Sequence, residues 1–327
     1  MKSIERRALY NLLRMNWLND PNLSVEPWQV EDYRILPFSL LFDRLKLLDI
    51  HLDRTGFIAY ADESDSPEDL TEQLIGDREL TAETEDQIYL LVFELWRRFM
   101  SEKPSVSILC NELDLQIFLY DKGELQYPAD LYDALSSFVL ILEDNVDEGI
   151  PAKEAFQLIT TYFANDIETF LYDFISEQIE EDNESYAYDL LDDFSAYLEG
   201  NKWFELLRTR LIAQTNSKLA GKHLVQIMED FLEENDLEFN LEILSFMSEI
   251  GDPETFKEIL VQTIKLLNTE EDFQDLLHIC ADYAQFNDQE LKANALNELL
   301  NKRTPSSNQL VDQQDPDLLQ LIKIFEI

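Results

Sequence analysis

Apolar side chains recur at threes and fours along most of the chain, the spacing of helices that bury one stripe. The most regular run extends from Leu237 to Leu300. There Leu241, Ile243, Leu244, Met247 and Ile250 are followed 36 residues later by Leu277, Ile279, Cys280, Tyr283 and Phe286. A short polar break closes each set, Gly251-Asp252-Pro253-Glu254 in the first and Asn287-Asp288-Gln289-Glu290 in the second. A second apolar series follows each break: Ile259, Leu260 and Ile264, then Ala295, Leu296 and Leu300. One offset aligns two helices and the turn between them, so the run predicts two copies of one helix pair. At the same spacing Leu207, Leu211, Leu224 and Met228 fall on Ile243, Met247, Leu260 and Ile264. This third copy is diluted by Glu205 and Arg208 on apolar positions.

Upstream, the spacing predicts a helix over 3–18 through Ile4, Leu9, Leu12, Leu13 and Trp17. Pro21, Pro27 and Pro37 then punctuate a looped stretch holding Trp28 and Tyr33. A helix from about Pro37 to Asp53 carries Leu41, Leu45 and Leu48. Residues 61–86 are polar and read as a surface connection with one short helix at Pro67–Ile75. Helices are expected at about Glu83–Ser101 and Pro104–Asp121. In the latter, Ile117-Phe118-Leu119-Tyr120 before Asp121-Lys122-Gly123 also fits a strand entering a turn, but Val106, Leu109, Leu113 and Ile117 hold helical spacing. Pro128 opens a helix closed by Gly149, and Pro151 opens the next, with a break at Asn165-Asp166 before Phe170, Leu171, Phe174 and Ile175. Ser185–Glu199, Trp203–Ala213 and Gly221–Glu233 complete the middle. Asn301 to Gln309 reads as a linker. Leu318–Ile327 is a short apolar helix that either caps the open end of a repeat stack or docks in a partner's groove.

The expected fold is therefore all-α: an α-solenoid of antiparallel helix pairs behind a less regular N-terminal helical region. The boundaries are 1–125 for that N-terminal region and 126–301 for an acidic helical-repeat region. A linker at 302–317 and a C-terminal capping or docking helix at 318–327 follow. The turn Ile250-Gly251-Asp252-Pro253-Glu254, set between two apolar helices, resembles the turn of HEAT-type helical repeats. The likeness covers about 237–300 and extends faintly over 203–234. It departs from that family at Asn287-Asp288-Gln289, which lacks the Gly and Pro. The period of 36 is closer to tetratricopeptide units, whose Trp-Leu-Gly-Tyr pattern is missing. The resemblance implies a binding scaffold.

Composition narrows this further. Only 7 Gly occur in 327 residues, against about 23 at average usage. So few disfavour hairpin-rich β folds and phosphate-cradling loops. With 25 Lys and Arg against 68 Asp and Glu, the net charge is −43. Broad nucleic-acid surfaces and anionic membranes need the opposite sign, so neither is an expected direct partner. Two cysteines, Cys110 and Cys280, do not make a disulfide framework. The start, Met1-Lys2-Ser3-Ile4-Glu5-Arg6-Arg7, lacks the apolar core of a signal peptide, and no apolar run is long enough to span a membrane. A cytoplasmic location is the expectation.

Charge is unevenly placed. Residues 1–50 hold seven basic and seven acidic side chains, whereas Gly123–Gly200 holds twenty acids and one base, Lys153. The densest part is Glu177, Glu180, Glu181, Asp182, Glu184, Asp189, Asp192 and Asp193. Tyr162, Tyr172, Tyr186, Tyr188 and Tyr197 interleave with it. These acids ride on helices with intact apolar stripes, so they form either a solvated outer face or a docking face for a basic partner. Tyrosines among carboxylates suit Arg and Lys recognition, or else form the semi-buried rim of the core, the commoner case. The candidate partner-binding residues are the eight acids with Tyr186 and Tyr188.

Other chemistry is thin. The histidines are His51, His223 and His278, and no Glu-x-x-His pair occurs. His278 lies near Cys280 and Asp275, but Cys280 aligns with Leu244 and is expected in the core. Asp144-Asn145-Val146-Asp147-Glu148-Gly149 lacks the alternating ligands and closing Glu of a calcium loop. No Gly-rich phosphate loop and no Gly-x-Ser-x-Gly elbow appear. No catalytic residue, metal or cofactor is expected. The leading expectation is a non-enzymatic scaffold or adaptor that binds a basic protein or peptide through an acidic helical face. An alternative is a nucleic-acid-mimicking inhibitor of a DNA- or RNA-binding protein. A third reading, an enzyme with an N-terminal cleft, rests on Trp17, Trp28, His51 and Arg54.

Overall fold

The computed structural model describes residues 5–103, 105–231, 235–250, 252–303, 310–312 and 314–327. Among these the chain forms eighteen α-helices and one 3-10 turn. An isolated antiparallel bridge joins Thr269 to Leu310. The fold is all-α, built of helices packed neighbour to neighbour. It divides into two compact units, residues 1–171 and 172–327. The sequence placed its own change of character at residue 125.

The first unit contains α1 (Glu5–Asn19), α2 (Pro27–Val30), the 3-10 turn Tyr33–Ile35, α3 (Phe38–Leu47), α4 (Arg54–Glu63) and α5 (Pro67–Ile75). It continues with α6 (Ala82–Phe99), α7 (Val106–Asp121), α8 (Pro128–Asp147), α9 (Ala152–Thr160) and the start of α10 (Ile167–Glu180). α6 is its axis. Every residue from Ile88 to Trp96 is buried, and α3, α5 and the 3-10 turn pack on it. A helix covered on all sides must satisfy any polar group it carries. Glu94 is matched by Arg97 at 2.7 Å and by Arg98. Arg98 also donates to the carbonyls of Tyr33, Arg34 and Leu36, tying down the proline-punctuated stretch.

Two expectations are corrected in this unit. The helix predicted to reach Asp53 stops at Leu47, because Asp49 adopts a left-handed φ of 63°. A separate helix, α4, then starts behind Asp53, whose side chain accepts the Gly56 N–H at 2.8 Å. Only Phe57 and Ala61 of α4 are buried, so its periodic signal is weak. Residues 61–86 are more than a surface connection, since Ser64, Pro67, Glu68, Leu70 and Thr71 are buried. The ambiguous segment before Gly123 is helical, as favoured, and Gly123 takes φ 66° past its end.

The second unit contains the rest of α10, then α11 (Glu184–Asp193), α12 (Lys202–Thr215), α13 (Ser217–Phe231), α14 (Leu237–Ile250) and α15 (Pro253–Leu266). After these come α16 (Glu270–Phe286), α17 (Glu290–Lys302) and α18 (Pro316–Phe325). The pairs α12–α13, α14–α15 and α16–α17 each pack together, and α12, α14 and α16 stack on one another. This is the solenoid-like arrangement of antiparallel pairs. Ile243, Leu244, Met247, Leu277, Cys280, Tyr283, Leu260 and Leu296 form its core, with Leu224 and Met228 from the weaker copy. The caps repeat as well: Asn216 and Asp252, 36 residues apart, accept the N–H groups of Leu219 and Thr255. Such a cap contributes about 1 kcal/mol. Phe286 breaks the alignment, being 61% exposed at the end of α16.

Two further readings change here. The helix predicted over Ser185–Glu199 ends at Asp193, and Phe194, Tyr197 and Leu198 are buried from the turns that follow. The C-terminal segment, for which capping and docking were both open, packs onto its own unit through Leu318, Leu321 and Phe325. The Phe325 ring lies 5.8 Å from Phe256 and 6.2 Å from Tyr283. Of the linker reading, 304–309 and 313 lie outside the described residues.

Candidate acidic interaction face

The candidate acids lie on the last turn of α10, the connection after it, and α11. α10 buries Phe174, Ile175, Gln178 and Ile179, and α11 buries Ala187, Leu190 and Leu191. Helical spacing then leaves Glu177, Glu180 and Glu181 outward on one side and Glu184, Asp189, Asp192 and Asp193 outward on the other. All eight acids, including Asp182 in the turn, are exposed. The turn is tight. Asp182 takes φ 59°, a conformation open to Asp and Asn at modest cost. Asn183 donates its backbone N–H to the Gln178 carbonyl and its amide to the Gln178 side chain at 2.8 Å.

The tyrosines divide. Tyr188 is 61% exposed among the acids, whereas Tyr186 is half-buried with its ring 6.1 Å from Phe174, edge to face. Tyr162 and Tyr197 belong to the core. Tyr172 is half-buried, and its hydroxyl donates to Glu242 at 3.2 Å. Burial first, and then the Glu242 charge, push that phenol above its ordinary range. Of the five, Tyr188 is the one exposed.

The sequence missed one organiser of this face. Arg210 on α12 donates to Ser176 Oγ at 2.9 Å, to Glu242 at 3.3 Å and to Glu180 at 3.1 Å. Glu180 is thus engaged within the chain. Arg210 and Glu242 are 30 and more residues from Glu180, and no local pattern connects them.

The lesser chemical candidates fall apart in space. Cys280 is buried and its thiol is pushed up by desolvation, while His278 and Asp275 on the same helix are exposed. His223 is exposed on α13. Asp144 to Asp147 are the last turn of α8, and Gly149 (φ 98°) ends it, so no cation loop forms. Among the described residues no group of three His, Cys, Asp or Glu side chains is arranged to hold a metal ion. Among them, too, no helix is long and apolar enough to cross a membrane.

Trp17 and Trp28 do meet at a cavity of about 890 Å³ in the first unit, bounded by α1, α2, α3 and α6. His51 and Arg54 do not line it. His51 pairs with Asp49 at 3.2 Å on the surface, and Arg54 lies over the Phe99 ring at 5.1 Å. The constellation read as an N-terminal enzyme cleft is therefore not assembled. Comparison of the chain with protein-family models, curated proteins and solved structures finds no match.

Proposed function

We propose that this protein is a non-enzymatic interaction scaffold or adaptor, acting in the cytoplasm. Its α10–α11 hairpin binds a basic protein or peptide, and its helix pairs are of the HEAT or tetratricopeptide type. One observation carries the reading. Eight carboxylates and the Tyr188 ring are exposed together on a short helix–turn–helix. Like charges on a helix face cost about 0.2–0.5 kcal/mol per i,i+4 pair. A cationic partner removes that cost on binding, and long-range attraction speeds the encounter.

The test uses the full chain as bait in native lysate, beside a Glu181→Ser/Glu184→Ser/Asp189→Ser/Asp192→Ser variant. Glu180 is left intact because it serves Arg210. The wild type is expected to retain a basic polypeptide that the variant loses roughly tenfold, with helix content unchanged by circular dichroism. Raising the salt is expected to release it. Equal capture by the two baits refutes the proposal. A partner that added duplex DNA displaces would indicate nucleic-acid mimicry instead.

A further inference from the structure

The 890 Å³ cavity of the first unit falls in the size range of small-molecule sites, about 300–1,000 Å³. The space is open to solvent, and its two indoles and Leu47 leave apolar surface there for a ligand to cover. Its floor is apolar: Val30, Tyr33 and Leu91 are buried. Trp17 and Trp28 line it half-buried, and Leu47, 85% exposed, also belongs to its wall.

The polar groups of the lining decide what kind of ligand fits. Arg14 pairs with Asp32 at 2.9 Å, and Arg44 binds Glu31 through both terminal nitrogens. The charges cancel, so within a strongly acidic chain this site is locally neutral and does not repel an anion. The two carboxylates are committed. Glu31 gives both oxygens to Arg44, and Asp32 accepts from Arg14 and from the Arg34 N–H. A cation would have to displace an existing partner. Donors are in surplus instead. Arg14 uses one terminal nitrogen on Asp32, and the Trp28 indole N–H is buried with no acceptor. Arg7, Tyr33, Arg34 and Glu94 are the further charged and titratable groups of the adjoining space, where Glu94 is paired with Arg97 and Arg98 and Arg34 with Glu112.

We infer that this cavity is a binding site for a ring-bearing, largely apolar small molecule that carries an oxygen acceptor, such as an aromatic acid. The rings lie against Trp17, Trp28 and Leu91, and the acceptor meets the unused N–H groups of Arg14. The site is separate from the acidic hairpin and does not depend on what that hairpin binds.

The test uses the full chain with 1-anilinonaphthalene-8-sulfonate, whose fused rings and sulfonate oxygens match this description. Two of the chain's 4 tryptophans line the cavity, so energy transfer from indole to the dye reports occupancy there. Saturable one-to-one binding is expected, weakened roughly tenfold by Leu47→Glu and by Arg14→Met. Leu47 is too exposed for its replacement to unfold the unit. Leu291→Glu, at a residue 89% exposed in the other unit, is expected to leave binding unchanged. No binding, or equal binding in all four proteins, overturns the inference. Loss in Leu291→Glu also overturns it, since the dye would then be adhering to exposed leucines.

Discussion

Asp114 shows how much one buried carboxylate organises in the first unit. It is fully buried on α7 and receives the Asn11 amide at 2.8 Å from α1. It also accepts the backbone N–H groups of Ala164 and Asn165 and the Asn165 side chain, just before α10 begins. A second amide link, Asn111 to Asn11, lies beside it. Removing the acceptor strands four donors, each costing about 1–3 kcal/mol when buried unpaired. Asp114→Ala is therefore expected to destabilise the protein by about 3 kcal/mol or more, read from the urea midpoint. Asp114→Asn sets an NH2 against at least one of those donors and should cost about half as much. Burial pushes the Asp114 carboxyl up, and the hydrogen bonds oppose that shift only in part. A raised folded-state value means the native protein binds this proton more tightly than the unfolded chain does. The resulting stability is fully present below the ordinary carboxylate value of about 4 and is lost as pH rises through the raised one. The advantage of wild type over Asp114→Asn should shrink as pH climbs from about 4. An advantage that grows over that range would mean the hydrogen bonds, not desolvation, dominate.

Among the elements, α18 has the most explicit anchor. Arg303, at the end of α17, donates to Glu270 at 2.6 Å, to Asp315 at 3.1 Å and to Asp317 at 2.9 Å, and it lies 4.6 Å from the Phe273 ring centre. Asp315 in turn caps α18 through the N–H groups of Asp317 and Leu318. The Arg303 hydrogen bond holds Glu270 below the usual carboxylate range. Burial would raise Asp315, but Arg303 and the two backbone donors outweigh it and lower that group too. Their stabilisation is present above about pH 4 and is lost as pH falls through the lowered values. Arg303→Met leaves Glu270 nearly buried and short of its cation, at a cost of about 3–5 kcal/mol. Hydrogen exchange is expected to speed up across Pro316–Phe325 while α6 in the first unit keeps its protection. Unchanged exchange in α18 would show that Leu318, Leu321 and Phe325 hold it without the ion pairs. The apolar residues of α18 were legible in the sequence, but the anchor was not, because Glu270 and Arg303 are 33 residues apart. The same division holds elsewhere. Pro128 and Gly149 mark the limits of α8 because both act locally on the backbone. α4 escaped notice because its buried face is two residues wide. The end of α11 was misjudged because Tyr197 and Leu198 continue an apolar spacing after the helix has stopped. On the candidate face, exposure of the acids followed from the stripe between them. The inward position of Tyr162 and Tyr197 did not, since an interleaved tyrosine fits a rim and a core equally well.

For the molecule as a whole, few bases face many acids, and several of those few are engaged inside. Arg6 is paired with Asp86, Arg34 with Glu112, Arg44 with Glu31, Arg97 and Arg98 with Glu94, and Arg303 with Glu270. A net charge of −43 therefore resides largely on exposed carboxylates, concentrated between Gly123 and Gly200. Self-repulsion of this kind weakens the compact state. It acts between exposed charges, so it is screened once the Debye length falls from about 10 Å at 0.1 M salt to about 3 Å at 1 M. The buried pairs at Glu94 and Glu270 are screened far less. Added sodium chloride should accordingly raise the thermal midpoint by about 2 degrees, on the order of a 1 kcal/mol gain. Replacing Glu181, Glu184, Asp189 and Asp192 by lysine should raise the midpoint at low salt and reduce the further gain from salt. Affinity for a cationic partner would move the other way, falling with salt and with the lysine substitutions. Opposite responses of stability and binding in the same four-residue variant are what a face kept charged for recognition requires. If the midpoint instead falls with salt, exposed ion pairs outweigh the repulsion, and the carboxylates of α10 and α11 are held in place by partners within the chain.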